Sequence, residues 1–165
     1  MRLPLYWVLA AGVLVGMGLV WLAWPASPER IIRRQLTEMA ELLSFPPNEP
    51  PLNALSEVNQ LCTRLAPDIE VVVDAPGFGR RNVHGREEIR DGLLAYRQRF
   101  NGVQVNFPDI RVEPAPDRTS AVAYVTVQAR LPGESEQLLQ EVKLLFRKQD
   151  SRWLLARAET VQPLR

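Results

Sequence analysis

The longest apolar feature of the chain is its first. From Leu3 to Pro28 no side chain is charged, and residues 5–24, LYWVLAAGVLVGMGLVWLAW, are almost unbroken in apolar character. Wound as a helix, such a run covers about 30 Å, the thickness of the hydrocarbon layer of a bilayer. Tyr6 and Trp7 stand at one end and Trp21 and Trp24 at the other, where amphipathic rings favour the headgroup level. A cleavable signal peptide has a shorter apolar run and small residues before the cut; here the exit reads Trp21-Leu22-Ala23-Trp24-Pro25-Ala26. Residues 1–28 therefore read as an uncleaved single-pass anchor that meets membrane lipid through residues 5–24, and residues 29–165 as one domain.

Beyond the anchor the pattern changes to amphipathic. Ile32, Leu36, Met39 and Leu43 fall on one face of a helix, which the proline-rich stretch from Ser44 to Pro51 ends. Asn53 is the expected cap of a second helix with Leu55, Val58, Cys62 and Leu65 inward. Ile69 to Val73 is a β-branched run that predicts a strand entering a loop, and the chain turns at Gly85. Arg86 to Phe100 is helical, with Ile89, Leu93, Tyr96 and Phe100 on one face and the arginines largely on the other. Val103, Val105 and Phe107 alternate, but after Pro108 the apolar set moves to Ile110 and Val112. A bulge at Pro108-Asp109 accounts for the change of phase. Strands at about 121–131, 137–148 and 152–161 complete an antiparallel meander. Ala123, Val125, Val127, Ala129 and Leu131 oppose Tyr124, Thr126, Gln128 and Arg130; Val142, Leu144 and Phe146 oppose Glu141, Lys143 and Arg147. One face of the sheet is core and the other is wet or paired.

Charge and composition narrow the functional classes. Lys+Arg number 20 against Asp+Glu 19, so no excess of positive charge exists to neutralise a phosphate backbone, and nucleic acid is not an expected partner. The single cysteine, Cys62, cannot form an internal disulfide and reads as core; the single histidine, His84, cannot by itself build a zinc site. No cofactor or metal is expected. Around the span, Arg2 and the α-amine face Arg30, Arg33 and Arg34, offset by Glu29, so the charge rule is nearly balanced. The short flank before the span, as in a signal anchor, points to an extracytoplasmic domain. Gly12 and Gly16 form a G-x-x-x-G pair that would let two helices approach, but read more readily as the ordinary glycines of a membrane helix.

The order of elements, with the strand Asp68-Ile69-Glu70-Val71-Val72-Val73 and the helix opening Val83-His84-Gly85-Arg86-Glu87-Glu88-Ile89, resembles the nuclear-transport-factor-2-like superfamily, the SnoaL-like cone. That resemblance implies an α+β fold: three helices packed on a curved, mainly antiparallel sheet. The superfamily includes isomerases, dehydratases, polyketide cyclases and assembly scaffolds, so the fold leaves the function open. An anchored cone also resembles, in layout, the inner-membrane scaffold of type IV secretion systems.

Enzymes of this superfamily carry an acid or base on the inward face of the cone. Here the inward phase of the last strands holds Ala, Val, Leu and Phe. Asp74 and His84 are weak catalytic candidates: a carboxylate between a strand and the Pro76-Gly77 turn is more often a turn former, and a lone histidine at a helix entrance is usually a capping or surface residue. Tyr124 falls on the polar phase, and Arg80-Arg81 reads as an anion site or a solvated loop. The expectation is a membrane-anchored, non-catalytic binding or assembly module with a mostly apolar cone, which pairs as a homodimer through the polar sheet face or takes a small apolar ligand or protein partner. The alternative is a small isomerase-, dehydratase- or cyclase-like enzyme acting on an apolar substrate.

Overall fold

A computed structural model describes residues 27–75, 79–133 and 137–161. The predicted anchor, residues 5–24, lies outside the described residues; among those described, no helix is long and apolar enough to cross a membrane. The domain is α+β, with helices α1 (Pro28–Leu43), α2 (Pro51–Cys62) and α3 (Arg86–Arg99) and strands β1 (Leu65–Ala75), β2 (Gly79–His84), β3 (Gln104–Pro114), β4 (Ser120–Arg130), β5 (Gln137–Gln149) and β6 (Arg152–Thr160). The strands form one sheet in the order β2-β1-β6-β5-β4-β3. β1 and β6 are parallel and every other neighbouring pair is antiparallel.

α1 starts where Ser27 Oγ accepts from the Arg30 amide, with Pro28 at the first helical position, where its missing N–H costs nothing. Ile32, Leu36 and Met39 are buried as expected, and Leu43 is half-buried. They meet Val58, Leu61 and Cys62 of α2, Ile69 of β1 and, from the inner face of the sheet, Val112, Ala123, Val125, Leu144, Phe146, Trp153 and Leu155. The predicted alternation of β4 and β5 therefore holds. The β3 bulge is also present: Asn106 pairs with Gln128 but Asp109 with Thr126. Pro108 is tolerated because β3 is an edge strand.

Three expectations are corrected. Residues 79–84, read as loop, form β2, an edge strand whose sequence Gly-Arg-Arg-Asn-Val-His lacks apolar alternation because its ladder to β1 is made by backbone and its side chains are mostly exposed. α2 begins at Pro51 rather than after an Asn53 cap. Its inner face is Val58, Leu61 and Cys62, while Leu55 is 43% exposed and Leu65 belongs to β1. On α3, Arg97 is an exception to the outward arginines: its side chain is 5% exposed, for reasons given below.

The segment 44–50 between α1 and α2 is a strap across one end of the domain. Phe45 makes an isolated antiparallel bridge to Val103, and Ser44 Oγ accepts from the Val105 amide at 2.9 Å while donating to Ala40 O at 2.8 Å. Gly102 is required beneath it: its φ is +93°, and a Cβ there would come within 3.0 Å of Pro47 N. Under the strap, Phe45 meets Tyr96 edge-on at 5.9 Å between ring centres, and Tyr96 meets Phe100 at 4.9 Å. Burial pushes the Tyr96 hydroxyl pKa up.

Candidate functional site

The outer face of the sheet, opposite the helices, carries the polar groups. On β2 and β1, Glu70 Oε1 accepts from Asn82 Nδ2 at 3.2 Å and lies 3.9 Å from His84 Nε2. Its second oxygen accepts from Arg157 Nη1 of β6 at 2.7 Å. Arg157 Nε donates to Glu159 at 3.1 Å, and Glu159 reaches Lys143 of β5 at 3.3 Å. Lys143 stands opposite Tyr124 of β4, and Tyr124 opposite Arg111 of β3. The Arg111 guanidinium lies 5.6 Å from the centre of the Tyr124 ring and pairs with Glu113. A row of polar side chains thus crosses all six strands, in contact from His84 to Lys143 and from Tyr124 to Glu113, with Lys143 and Tyr124 side by side in register. Burial raises the Glu159 pKa, but hydrogen bonds from Lys143 and Arg157 outweigh it and hold the carboxyl below its ordinary value. Tyr124 is 40% exposed on β4, one strand in from the β3 edge of this face. Beside it, Asp109, Arg111, Thr126, Glu141 and Val161 border a hollow of about 260 Å³.

The two catalytic candidates are not brought together. Asp74 pairs with Arg80 and His84 with Glu70, which sets them four residues apart along one ladder, about 13 Å. The His84 side chain is 64% exposed, its amide donates to Glu88 Oε2 at 3.0 Å, and it therefore stands at the entrance of α3 beside the ladder. The Asp74 amide donates to Thr160 Oγ1 at 2.8 Å. Arg80 and Arg81 are exposed on the edge strand. Cys62 is buried, and burial raises its thiol pKa. No group of three or more His, Cys, Asp or Glu among the described residues is placed to hold a metal ion.

A second polar constellation lies at the strapped end, and the sequence did not reveal it. Arg97 Nη1 donates to Glu49 Oε1 at 2.5 Å and to Glu57 Oε2 at 3.0 Å, Nη2 donates to Leu42 O, and the guanidinium lies 4.9 Å from the Phe45 ring centre. A hollow of about 360 Å³ beside it is bordered by Phe45, Glu49, Leu94, Arg97 and Phe100. The available signal was weak: one acidic residue in a proline-rich loop and one arginine among several on a helix.

This architecture recurs in solved structures. An NTF2-like protein of unknown function from Pseudomonas putida matches with a TM-score of 0.63 and 12% identity, over 83% of this chain and 87% of that one. A provisionally described scytalone dehydratase from Novosphingobium aromaticivorans gives 0.60 and 21%, over 90% and 89%. A cystatin-like-fold protein of unknown function from Nostoc punctiforme gives 0.62 and 17%, over 84% and 93%. The domain therefore has the NTF2-like, SnoaL-like cone fold, and at these identities the likeness carries the fold alone. No protein-family model matches the sequence, and no curated protein matches it.

Proposed function

We propose that the chain is a membrane-tethered, non-catalytic binding or assembly module whose working surface is the outer sheet face, with a second copy of the chain as its first partner. The observation that carries this reading is the division of the sheet into two faces. The inner face is packed with aliphatic and aromatic side chains under three helices, whereas the outer face presents a row of polar side chains across six strands, with Tyr124 exposed on β4. Alternating charges of both signs suit a two-fold contact, in which one patch has only to match itself. Residues 5–24 supply the tether, and the domain stands on the extracytoplasmic side. An export-dependent reporter fused after Arg165 is active under this reading; activity from a reporter that works only in the cytoplasm reverses the topology.

Sedimentation of the chain beginning at Ser27 tests the interface, because it removes Gly12 and Gly16 as a competing helix contact. A dimer that dissociates in Tyr124→Glu is the expected result. A monomer at every concentration, or a dimer indifferent to Tyr124→Glu, overturns the sheet interface.

One observation favours the alternative enzyme reading, namely that a structure of this fold is provisionally described as a scytalone dehydratase. That reading now requires Asp74 or His84 to supply the acid or base alone, since about 13 Å of strand separates them.

A further inference from the structure

The end of the domain from which the chain runs back toward residues 5–24 has a composition of its own. The Gln35 side chain donates to Trp153 O at 3.1 Å, and Trp153 stands opposite Lys148 next to the β5–β6 turn. α1 ends at Ser44 beside Val105, near the start of β3, so its N-terminus points toward the other end of that strand and the β3–β4 turn. The two turns are neighbours: the Lys148 amide donates to Thr119 O at 2.8 Å. The first two turns of α1 and both hairpin tips therefore occupy one end of the domain, opposite the strap.

Several cations at this end are held by carboxylates: Arg33 by Glu29, Arg34 and Arg64 by Glu38, and Arg147 by Asp68. Arg30, Arg118, Lys148 and Arg152 are exposed and, among the described residues, have no carboxylate within ion-pair distance. Two further acids stand nearby. Asp117 is turned onto the Thr119 amide and hydroxyl at 2.9 and 2.7 Å, and Asp150 lies exposed at the β5–β6 tip. Ile31, exposed between these groups, adds an apolar side chain.

We infer that this end of the domain docks on a bilayer surface bearing anionic phospholipid headgroups, with Arg30, Arg118, Lys148 and Arg152 as the contacting cations. The inference rests on the tether proposed above. Only Pro25 and Ala26 separate Trp24 from Ser27, where α1 is capped, and the three residue steps between them span at most about 11 Å. The basic tips are thereby held within reach of the headgroups, where each cation strengthens the contact about fivefold and the attraction fades beyond a Debye length.

The test uses the full chain, carrying an environment-insensitive fluorophore at Ser151→Cys, in vesicles with spin-labelled headgroups. Cys62 is buried, so the reagent reaches the introduced thiol. In phosphatidylcholine containing phosphatidylglycerol, the fluorophore is quenched, and the quenching is lost as salt is raised until the Debye length is about 3 Å. The same fluorophore at Gln98→Cys, at the strapped end, stays bright. Arg118→Glu with Arg152→Glu lowers the docked-to-free ratio about tenfold or more. Quenching that is equal in phosphatidylcholine alone, or unchanged by the double reversal, overturns the docking while leaving the tether intact. Release of the unlabelled chain from vesicles by alkaline carbonate overturns the tether itself, and the docking with it.

Discussion

Arg97, on the last turn of α3, donates to Glu49 of the strap at 2.5 Å, with side chains only 5% and 7% exposed. Deleting the guanidinium leaves the buried Glu49 carboxylate without its compensating charge. Arg97→Ala should therefore cost about 3–5 kcal/mol. Glu49→Gln, which leaves Glu57 on the guanidinium, should cost about 1.5–3 kcal/mol. Because the residues act as one unit, the double variant should cost less than the sum of the singles. Urea unfolding measures all three, and strict additivity would mean that the strap is held by its other contacts.

Phe146 is fully buried and Arg147, its neighbour on β5, faces the other side of the sheet. Phe146→Ala should cost about 3–5 kcal/mol. Arg147→Ala removes an exposed pair with Asp68 and should cost no more than about 1 kcal/mol. Equal losses would place both side chains in one environment.

The Arg147 guanidinium beside Asp68 holds its carboxyl below the ordinary carboxylate value. A depressed folded-state pKa contributes stability above the unfolded value, near about 3.9, and that contribution is lost as pH falls through the folded value. The carboxyl carbon of Asp68, followed by NMR, should titrate below its ordinary range and return toward it in Arg147→Ala. No change on removing Arg147 would show that the pair does not persist in solution.

Cys62 is 5% exposed in the core between α1, α2 and the sheet, and burial raises its thiol pKa. Alkylation at neutral pH should therefore wait for opening of the core, and its rate should rise steeply across the unfolding transition. Rapid labelling of the folded chain would place the thiol at the surface.

Much of this fold is written in local periodicity. Ile32, Leu36 and Met39 repeat at helical spacing because one face of α1 meets the sheet, and the change of phase across Pro108 records a bulge that only a register shift explains. What escaped is non-local. β2 has no alternation because its side chains are mostly exposed, and Pro51, which looks like a terminator, begins a helix because the first turn has no use for its N–H. Arg97 resembles the solvent-facing arginines of α3, since its partner Glu49 lies 48 residues earlier in the strap. The outer ladder was legible as alternating polar residues, but the order in which Glu70, Arg157, Glu159 and Lys143 link depends on the pairing of the first strand with the last.

That pairing also orders events in time. Glu70 of β1 and Arg157 of β6 are 87 residues apart, and among the described residues β6 is the strand that bonds both to β1 and to the β3–β4–β5 meander. A nascent chain lacking residues 152–160 holds two strand groups with no backbone ladder between them, a hairpin and a three-stranded ribbon, each with an open edge. Joining them closes a long loop, which sets a slow rate. The growing chain is therefore most exposed to a wrong edge-to-edge partner just before its last strand arrives.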